Sequence, residues 1–122
     1  MKSIKRQSLG RVGESLAGAF LKNKGYVILE KNWRSPYGEI DMVASKNEAI
    51  IFVEVKTRAN NSLGPPEISI TPRKTEHMRN AAEYYIQQHP ELNAEWRIDL
   101  ITIQIQPDGQ PTLIDHFENV LS

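Results

Sequence analysis

The stretch Gly38–Arg58, GEIDMVASKNEAIIFVEVKTR, decides the fold because it has the pattern of two β-strands joined by a tight turn. Its first part, residues 39–43, alternates polar and apolar side chains, as a strand with one buried face does. Residues 49–55 are almost continuously apolar and rich in β-branched side chains, which indicates a strand covered on both faces. Residues 45–48, Ser-Lys-Asn-Glu, have the composition of a turn. The stretch therefore predicts a hairpin whose second strand is central in a sheet.

Charged residues end this buried strand, with Glu54 and Lys56 on one of its faces. An acid and a base are costly to bury on a central strand unless they find partners. A two-residue hairpin loop, at 46–47 or at 47–48, places Asp41 opposite an even-numbered residue of the second strand. Because side chains alternate with period two, Asp41 then shares a face with Glu54 and Lys56. A slip of one residue would send Asp41 to the other face.

Such a cluster has a clear chemical use. Two carboxylates on one face offer the hard oxygen donors that Mg²⁺ and Mn²⁺ prefer. A lysine beside the metal can orient a water molecule or stabilise negative charge on a phosphate. The other interpretation is a surface hairpin on which Asp41, Glu54 and Lys56 form ordinary ion pairs. The spacing alone leaves both interpretations open, because the pattern is short.

The motifs also resemble those of known families. Asp41 followed by Glu54-Val55-Lys56 resembles the signature of the PD-(D/E)XK nuclease superfamily, whose members have the restriction-endonuclease-like fold. A longer set of motifs, from about Gly10 to Asp99, is similar to the YraN-like family of small bacterial proteins. The family is regarded as related to archaeal Holliday junction resolvases. The motifs that carry this similarity are Gly13-Glu14, Gly38–Asp41, Val53–Arg58 and Thr71–Lys74.

The resemblance implies a role for each residue of the charged cluster. Asp41 and Glu54 would be both catalytic residues and ligands of one or two Mg²⁺ or Mn²⁺ ions, and the carbonyl of Val55 would complete the metal's coordination. Lys56 would align or deprotonate the attacking water.

Two further acids, Glu14 and Glu39, lie outside this set. In the resembling nucleases a helix near the N-terminus often supplies a third catalytic and metal-binding acid, and Glu14 stands where that acid is expected. The neighbours of Glu14 along the helix are small, which would allow a close contact there, although most helical glutamates face water. Glu39 would be an outer neighbour of the metal ligands or a surface acid.

Composition limits the remaining possibilities. At 122 residues the chain predicts one domain spanning 1–122, and 39% hydrophobic with 25% charged residues is typical of a folded globular protein. We expect no membrane partner, since no apolar run is long enough to span a bilayer. The absence of cysteine excludes disulfides and thiolate zinc sites and is consistent with a cytoplasmic location.

Nucleic-acid binding must be a local property if it occurs, because 15 basic and 15 acidic residues give a net charge of zero. A non-specific nucleic-acid binder usually has a strongly basic chain. Basic residues nevertheless lie near the proposed site, and Thr71-Pro72 predicts the start of a helix whose first turn could receive a phosphate. The alternative is that these side chains simply face water. The candidate phosphate contacts are Arg34, Arg58, Arg73 and Lys74.

The rest of the chain completes an α/β pattern. We predict a mixed β-sheet flanked by helices, in the order α-β-β-β-α-β with a possible extra edge strand. Residues 1–9 are expected to be a flexible basic segment, and residues 59–69 a mobile loop. Outside the hairpin, the predicted elements are a helix at 10–24, a strand at 26–31, a connection at 32–37, a helix from 71, and strands at 96–105 and 112–117.

Three side chains outside the cluster also have predicted roles. Trp33 and Tyr37 are expected to anchor the connection at 32–37 to the core rather than to stack on bases. Asp99 shares a strand face with Arg97 and is expected to pair with it rather than to join the acidic site.

The function that these expectations favour is a metal-dependent endonuclease acting on DNA, with branched or structured DNA among its candidate substrates. A homodimer would suit the cleavage of two strands. The alternative function is a non-catalytic module that binds nucleic acid or protein on a nuclease-like scaffold, because a fold does not establish an activity.

Overall fold

The computed structural model describes residues 6–59, 72–92, 94–106, 108 and 110–120. The observed order is α-β-β-β-α-β-β, which confirms the predicted order together with its extra edge strand. The elements are α1 (Arg6–Asn23), β1 (Val27–Ser35), β2 (Gly38–Lys46), β3 (Ala49–Ala59), α2 (Pro72–Gln88), a short 3-10 helix (Pro90–Leu92), β4 (Trp96–Ile105) and β5 (Pro111–Phe117).

The strands of the described ranges form one five-stranded sheet in the order β1-β2-β3-β4-β5. Three neighbouring pairs are antiparallel, whereas β3 and β4 are parallel. Parallel neighbours need a long crossover connection, and α2 lies within it. The fold is therefore the predicted mixed sheet with helices on its faces.

Each face of the sheet has its own hydrophobic core. On the first face, α1 packs Ala17 and Leu21 against apolar side chains of β2, β3 and β4. On the second face, α2 packs Met78, Ala81 and Tyr85 against apolar side chains on the opposite face of β2, β3 and β4. This double cover explains why β3 is almost continuously apolar, since both of its faces are buried.

The turn between β2 and β3 fixes the register of the hairpin. Lys46 pairs with Ala49, so the loop consists of Asn47 and Glu48, both with positive φ (52° and 67°). Two left-handed residues in succession match the twist of the flanking strands. Of the two loop positions that the sequence allowed, 47–48 is therefore the observed one. Continuing the ladder by one pair past Met42 and Val53 places Asp41 across from Glu54.

Several boundaries differ from the sequence-based expectation. Helix α1 begins at Arg6 rather than at residue 10, so residues 6–9 are helical where a flexible segment was predicted, and residues 1–5 lie outside the described residues. Strand β1 continues to Ser35 through residues predicted to be a connection. The buried side of α1 is the small-residue side that carries Ala17, because small side chains let the helix approach the sheet closely. The predicted loop at 59–69 lies outside the described residues, except for Ala59, which ends β3. Within the described ranges, no helix combines the length and apolar character needed to cross a membrane.

Candidate functional site

The regular alternation of β2 breaks at Asp41. Ile40 and Met42 are two residues apart and would share a face in a regular strand, yet Met42 packs in the core under α1 and Ile40 in the core under α2. The neighbouring strand is irregular at the same level, where Asn32 lies across from Asp41 and has a positive φ of 52°. Irregularities of this kind redirect side chains and end strand pairing.

This break brings Asp41 to the edge of β3. The pairing of β2 with β3 ends at Met42 and Val53, and beyond it the Val55 N–H donates to Asp41 Oδ2 at 2.8 Å instead. The N–H and C=O of one residue in an extended strand point to the same edge. The carbonyl of Val55 therefore also faces the edge where Asp41 lies, and its role as a metal ligand stays a prediction.

Asp41 and Glu54 are neighbouring acids that repel each other when both are ionised. Burial raises the pKa of Asp41 to about 7, and the negative charge of Glu54 adds to this effect. The hydrogen bond from Val55 opposes the shift, while the charge of Glu14 and a hydrogen bond with Glu54 reinforce it. Two neighbouring carboxylates that are buried cannot both ionise easily. The pair is thus chemically suited to accept a cation or to hold a proton at neutral pH.

Two lysines flank the acid pair. Glu54 is buried on β3, and its Oε1 lies 2.5 Å from Lys74 Nζ and 3.5 Å from Lys56 Nζ. Burial lowers the pKa of Lys56, and the neighbouring Lys74 lowers it further. Burial alone would also lower the pKa of Lys74, but its contact with Glu54 outweighs burial and raises it. Lys74 is therefore the closer counter-ion of Glu54, and Lys56 is the lysine whose ammonium form is less favoured.

Glu14 and Glu39 meet through a residue that the sequence did not single out. When the Asn32 amide is oriented with its nitrogen toward the two acids, it donates to Glu14 Oε1 at 3.1 Å and to Glu39 Oε1 at 2.9 Å. Helix α1 reaches this position because it has a glycine next to Glu14. A Cβ on Gly13 would lie 2.8 Å from the Cβ of Thr57 and would overlap its hydroxyl.

The side chains of Asp41, Glu54 and Glu14 do not form a preformed metal-binding site. Over the ranges that the structure covers, no group of three or more acidic or histidine side chains has the arrangement of a metal site. Glu14 is half-buried and acts on Asp41 through its charge. Its predicted role as a direct metal ligand stays a prediction.

The cluster opens into a surface cleft of about 380 Å³.

His77 of α2 lines this cleft, although the sequence did not predict it to belong to the site. An isolated histidine in a helix has no recognisable ligand spacing. A larger depression, about 660 Å³, lies beside the β2–β3 turn, away from the acid pair. The cleft is lined by Tyr37, Gly38, Glu39, Asp41, Glu54, Lys74, His77, Met78 and Ala81.

The other predicted phosphate contacts lie around the cleft rather than among its lining residues. Arg34 is exposed on β1, with its Nε 3.7 Å from Glu39 Oε2. Arg58 is half-buried four residues beyond Glu54 on β3, and Arg73 is exposed in the first turn of α2. Of the four predicted contacts, Lys74 is the one that the structure brings to the acid pair.

Asp99 belongs to a separate cluster, as expected. Arg97 Nε donates to its Oδ1 at 2.9 Å, the Asn119 N–H donates to the same oxygen at 3.0 Å, and His116 Nε2 lies 2.8 Å from Oδ2. Burial would raise the pKa of Asp99, but hydrogen bonds from these partners outweigh it and hold the pKa below its usual value. This satisfied network ties the end of the described chain to β4.

The fold and the site define a class: a small mixed α/β domain with an acid pair and two lysines in a cleft beside a break in its central hairpin. Comparison with known proteins gives the family. The chain belongs to the uncharacterised protein family UPF0102, whose family model matches residues 13–103. This is the YraN-like family that the motifs indicated.

Relatives from several bacteria cover nearly the whole chain. A UPF0102 protein of Syntrophomonas wolfei is 42% identical over 113 residues, which cover 93% of this chain and 96% of that protein. One from Dehalococcoides mccartyi is 41% identical over 110 residues, with coverage of 89% and 91%. One from Clostridium perfringens is 44% identical over 103 residues, with coverage of 84% for both chains. These names give the family and no activity.

Proposed function

We propose that this protein is a metal-dependent nuclease that hydrolyses phosphodiester bonds of DNA. The observation that carries the proposal is the adjacency of Asp41 and Glu54 in a surface cleft, with Lys56 and Lys74 beside them. The resemblance of these residues to the PD-(D/E)XK signature supports the same reaction. Zero net charge is compatible with it if the cleft supplies the positive charge locally.

The donor set fits a divalent cation. Mg²⁺ is usually held by one or two carboxylates, with waters and substrate oxygens completing its coordination. Asp41, Glu54 and the carbonyl of Val55 supply three such oxygens at one edge of β3. Burial and the negative charge of Glu54 raise the pKa of Asp41, and a bound cation would favour its ionised form again. Bound there, the metal would polarise a phosphate oxygen and lower the pKa of a water molecule.

The protein's own side chains would do the remaining work. The lowered pKa of Lys56 suits a group that orients the attacking water and exchanges a proton with it. Lys74 offsets the charge of Glu54 and brings positive charge to the cleft where a phosphate would lie. Asn32 would fix the positions of Glu14 and Glu39 through its two hydrogen bonds.

A cleavage assay tests the proposal. End-labelled oligonucleotides in single-stranded, duplex, flap and four-way-junction forms, with RNA as a further substrate, are incubated with the protein in Mg²⁺, Mn²⁺ or EDTA. We expect cleavage of DNA in the metal buffers and none in EDTA. Lys56→Ala should lower the rate by about 10²- to 10⁴-fold, the range of proton-transfer catalysis, and Asp41→Ala should abolish it. Glu83→Gln, which changes an exposed acid on α2 outside the cleft lining, is the control and should cleave normally.

The outcomes separate the proposal from its alternative. Full cleavage by Asp41→Ala or Lys56→Ala, with both variants folded, would contradict the assignment of the site. Calorimetry of Mn²⁺ binding to the wild type and to Asp41→Asn provides a readout independent of cleavage. Nucleic-acid or protein binding without metal binding and without cleavage would support the non-catalytic scaffold. Sedimentation of the same samples would test the possible homodimer.

A further inference from the structure

The turn between β1 and β2 presents one aromatic side chain, Tyr37, in a fixed position. Ser35 Oγ accepts the Tyr37 N–H at 3.1 Å and donates to the Gly38 carbonyl at 2.8 Å. Gly38 has a φ of +128°, which an L side chain rarely adopts. The turn is therefore closed by its own hydrogen bonds on both sides of Tyr37.

A series of ring contacts connects Tyr37 to the core. Its ring centroid lies 6.0 Å from that of Tyr84, and Tyr84 lies 6.0 Å from Trp33. Trp33 in turn packs edge-to-face on the buried Tyr85 at 5.0 Å. Trp33 thus anchors this part of the chain, as the sequence predicted. Tyr37 meets that expectation in part, because its ring contacts Tyr84 while 48% of its surface remains exposed.

The exposed ring lines the same cleft as the acid pair. Tyr37 forms one part of its wall, and Asp41, Glu54 and Lys74 form another. A phosphate held beside Lys74, or by a metal ion on the acid pair, would be linked to a sugar and a base, so that base would lie close to the cleft. The base would find an aromatic surface there rather than only charged groups. Aromatic side chains that bind bases in this way do so largely regardless of sequence.

A duplex cannot use such a surface without opening. The faces of a paired base are covered by its neighbours in the stack, so a side chain can stack on a base only when that base is unpaired or turned out of the helix. We infer that Tyr37 is a stacking platform for an unpaired base, and that the cleft selects strands with an unpaired nucleotide beside the target phosphate. The inference rests on the proposed function and names its substrate class.

Binding in EDTA tests this inference without cleavage. The probes are a fluorescein-labelled single-stranded oligonucleotide and the blunt duplex of the same sequence, titrated at low salt. Tyr37→Ala should weaken binding of the single strand by about 5- to 150-fold, the range of one base–aromatic stack. Tyr37→Phe, which keeps the ring, should stay within about 2-fold of the wild type. Leu113→Ala removes an equally exposed apolar side chain on β5 (49% exposed) and should bind normally.

The salt dependence of the binding constant distinguishes base stacking from phosphate contacts. Each phosphate contact that is lost lowers the slope of log K against log salt. Tyr37→Ala should weaken binding while leaving this slope unchanged, whereas Lys74→Ala should reduce it. A reduced slope in Tyr37→Ala, or equal single-strand binding by Tyr37→Ala and wild type, overturns the inference. Binding of the blunt duplex as tightly as the single strand also overturns it.

The cleavage assay then distinguishes failure of the proposed nuclease function from failure of the inference about Tyr37. A wild type that cleaves duplex and single strand equally, with no effect of Tyr37→Ala, supports the nuclease and overturns the platform. A wild type that never cleaves but loses single-strand binding on Tyr37→Ala supports the platform and overturns the nuclease.

Discussion

Replacing Asp41 with asparagine should make the protein more stable at neutral and alkaline pH, although it removes the proposed metal ligand. The wild-type carboxylate is buried beside Glu54. An asparagine of the same shape can accept the Val55 N–H through its Oδ1 and can donate to Glu54 through its Nδ2. The substitution therefore preserves the hydrogen bond seen at 2.8 Å and replaces a repulsive contact with an attractive one.

The expected magnitude follows from the pKa. The pKa of Asp41 rises from 3.8 to about 7 on folding, first because of burial and then because of the charge of Glu54. The folded state binds the proton more tightly than the unfolded chain, so wild-type stability falls as the pH rises from about 4 to about 7. A shift of about three pKa units corresponds to a ceiling of about 4 kcal/mol. We expect Asp41→Asn to gain on the order of 1 to 4 kcal/mol at pH 8 and little at pH 4.

Urea unfolding at pH 4, 6 and 8, in EDTA, measures this difference. Asp108→Asn is a matched control, because Asp108 also accepts a backbone N–H, from Gln110, but is exposed. It should change stability by less than about 0.5 kcal/mol at each pH. A variant less stable than the wild type at pH 8, or a gain that does not depend on pH, would refute the reasoning. Adding Mn²⁺ should then stabilise the wild type and not Asp41→Asn, since a ligand stabilises only the state that binds it.

Two further predictions concern the scaffold, both measured by urea unfolding. Gly13→Ala should destabilise the fold by about 1 to 2 kcal/mol, because overlap with Thr57 outweighs the gain of about 1 kcal/mol in helix propensity. Gly10→Ala meets nothing within 4 Å and should be stabilising, so equal gains in both variants would contradict the close approach. Asp99→Ala should cost about 1 to 3 kcal/mol at pH 7, because the Asn119 N–H loses its acceptor while Arg97 keeps its ion pair with Glu118. Because the pKa of Asp99 is lowered on folding, this loss should shrink below about pH 4, and a loss that persists unchanged at pH 3 would contradict it.

The fold was predictable from the sequence because two features of its central hairpin each indicate the same arrangement of strands. The continuous apolar run of β3 indicates burial on both faces, and a two-residue loop within the short polar turn puts Asp41 opposite an even-numbered residue. The observed loop at 47–48 is one of these. Local composition was a poorer guide at Asn32–Ser35, which continues β1. Pairing with β2 keeps this polar segment extended, and cross-strand pairing is not a property of the segment's own sequence.

The charged face was predicted for a reason that is only partly correct. Strict alternation along β2 was expected to carry Asp41 to the face of Glu54. Alternation in fact breaks at Asp41, and the residues meet because the end of β2–β3 pairing frees the Val55 N–H to bind the carboxylate. The partnership of Lys74 with Glu54 depends on how α2 docks, and this docking was not visible in the sequence.

Asn32 shows most clearly why part of such a site is hidden from sequence reasoning. A lone asparagine in a polar stretch has no distinguishing pattern, yet its left-handed backbone lies at the same level of the sheet as the break at Asp41. Asparagine tolerates this conformation better than most residues, and the same residue can donate hydrogen bonds to Glu14 and Glu39. One position thus supports a backbone irregularity and a bridge between two acids at once. Because the two requirements come from different strands and a helix, they become visible only when the chain is folded.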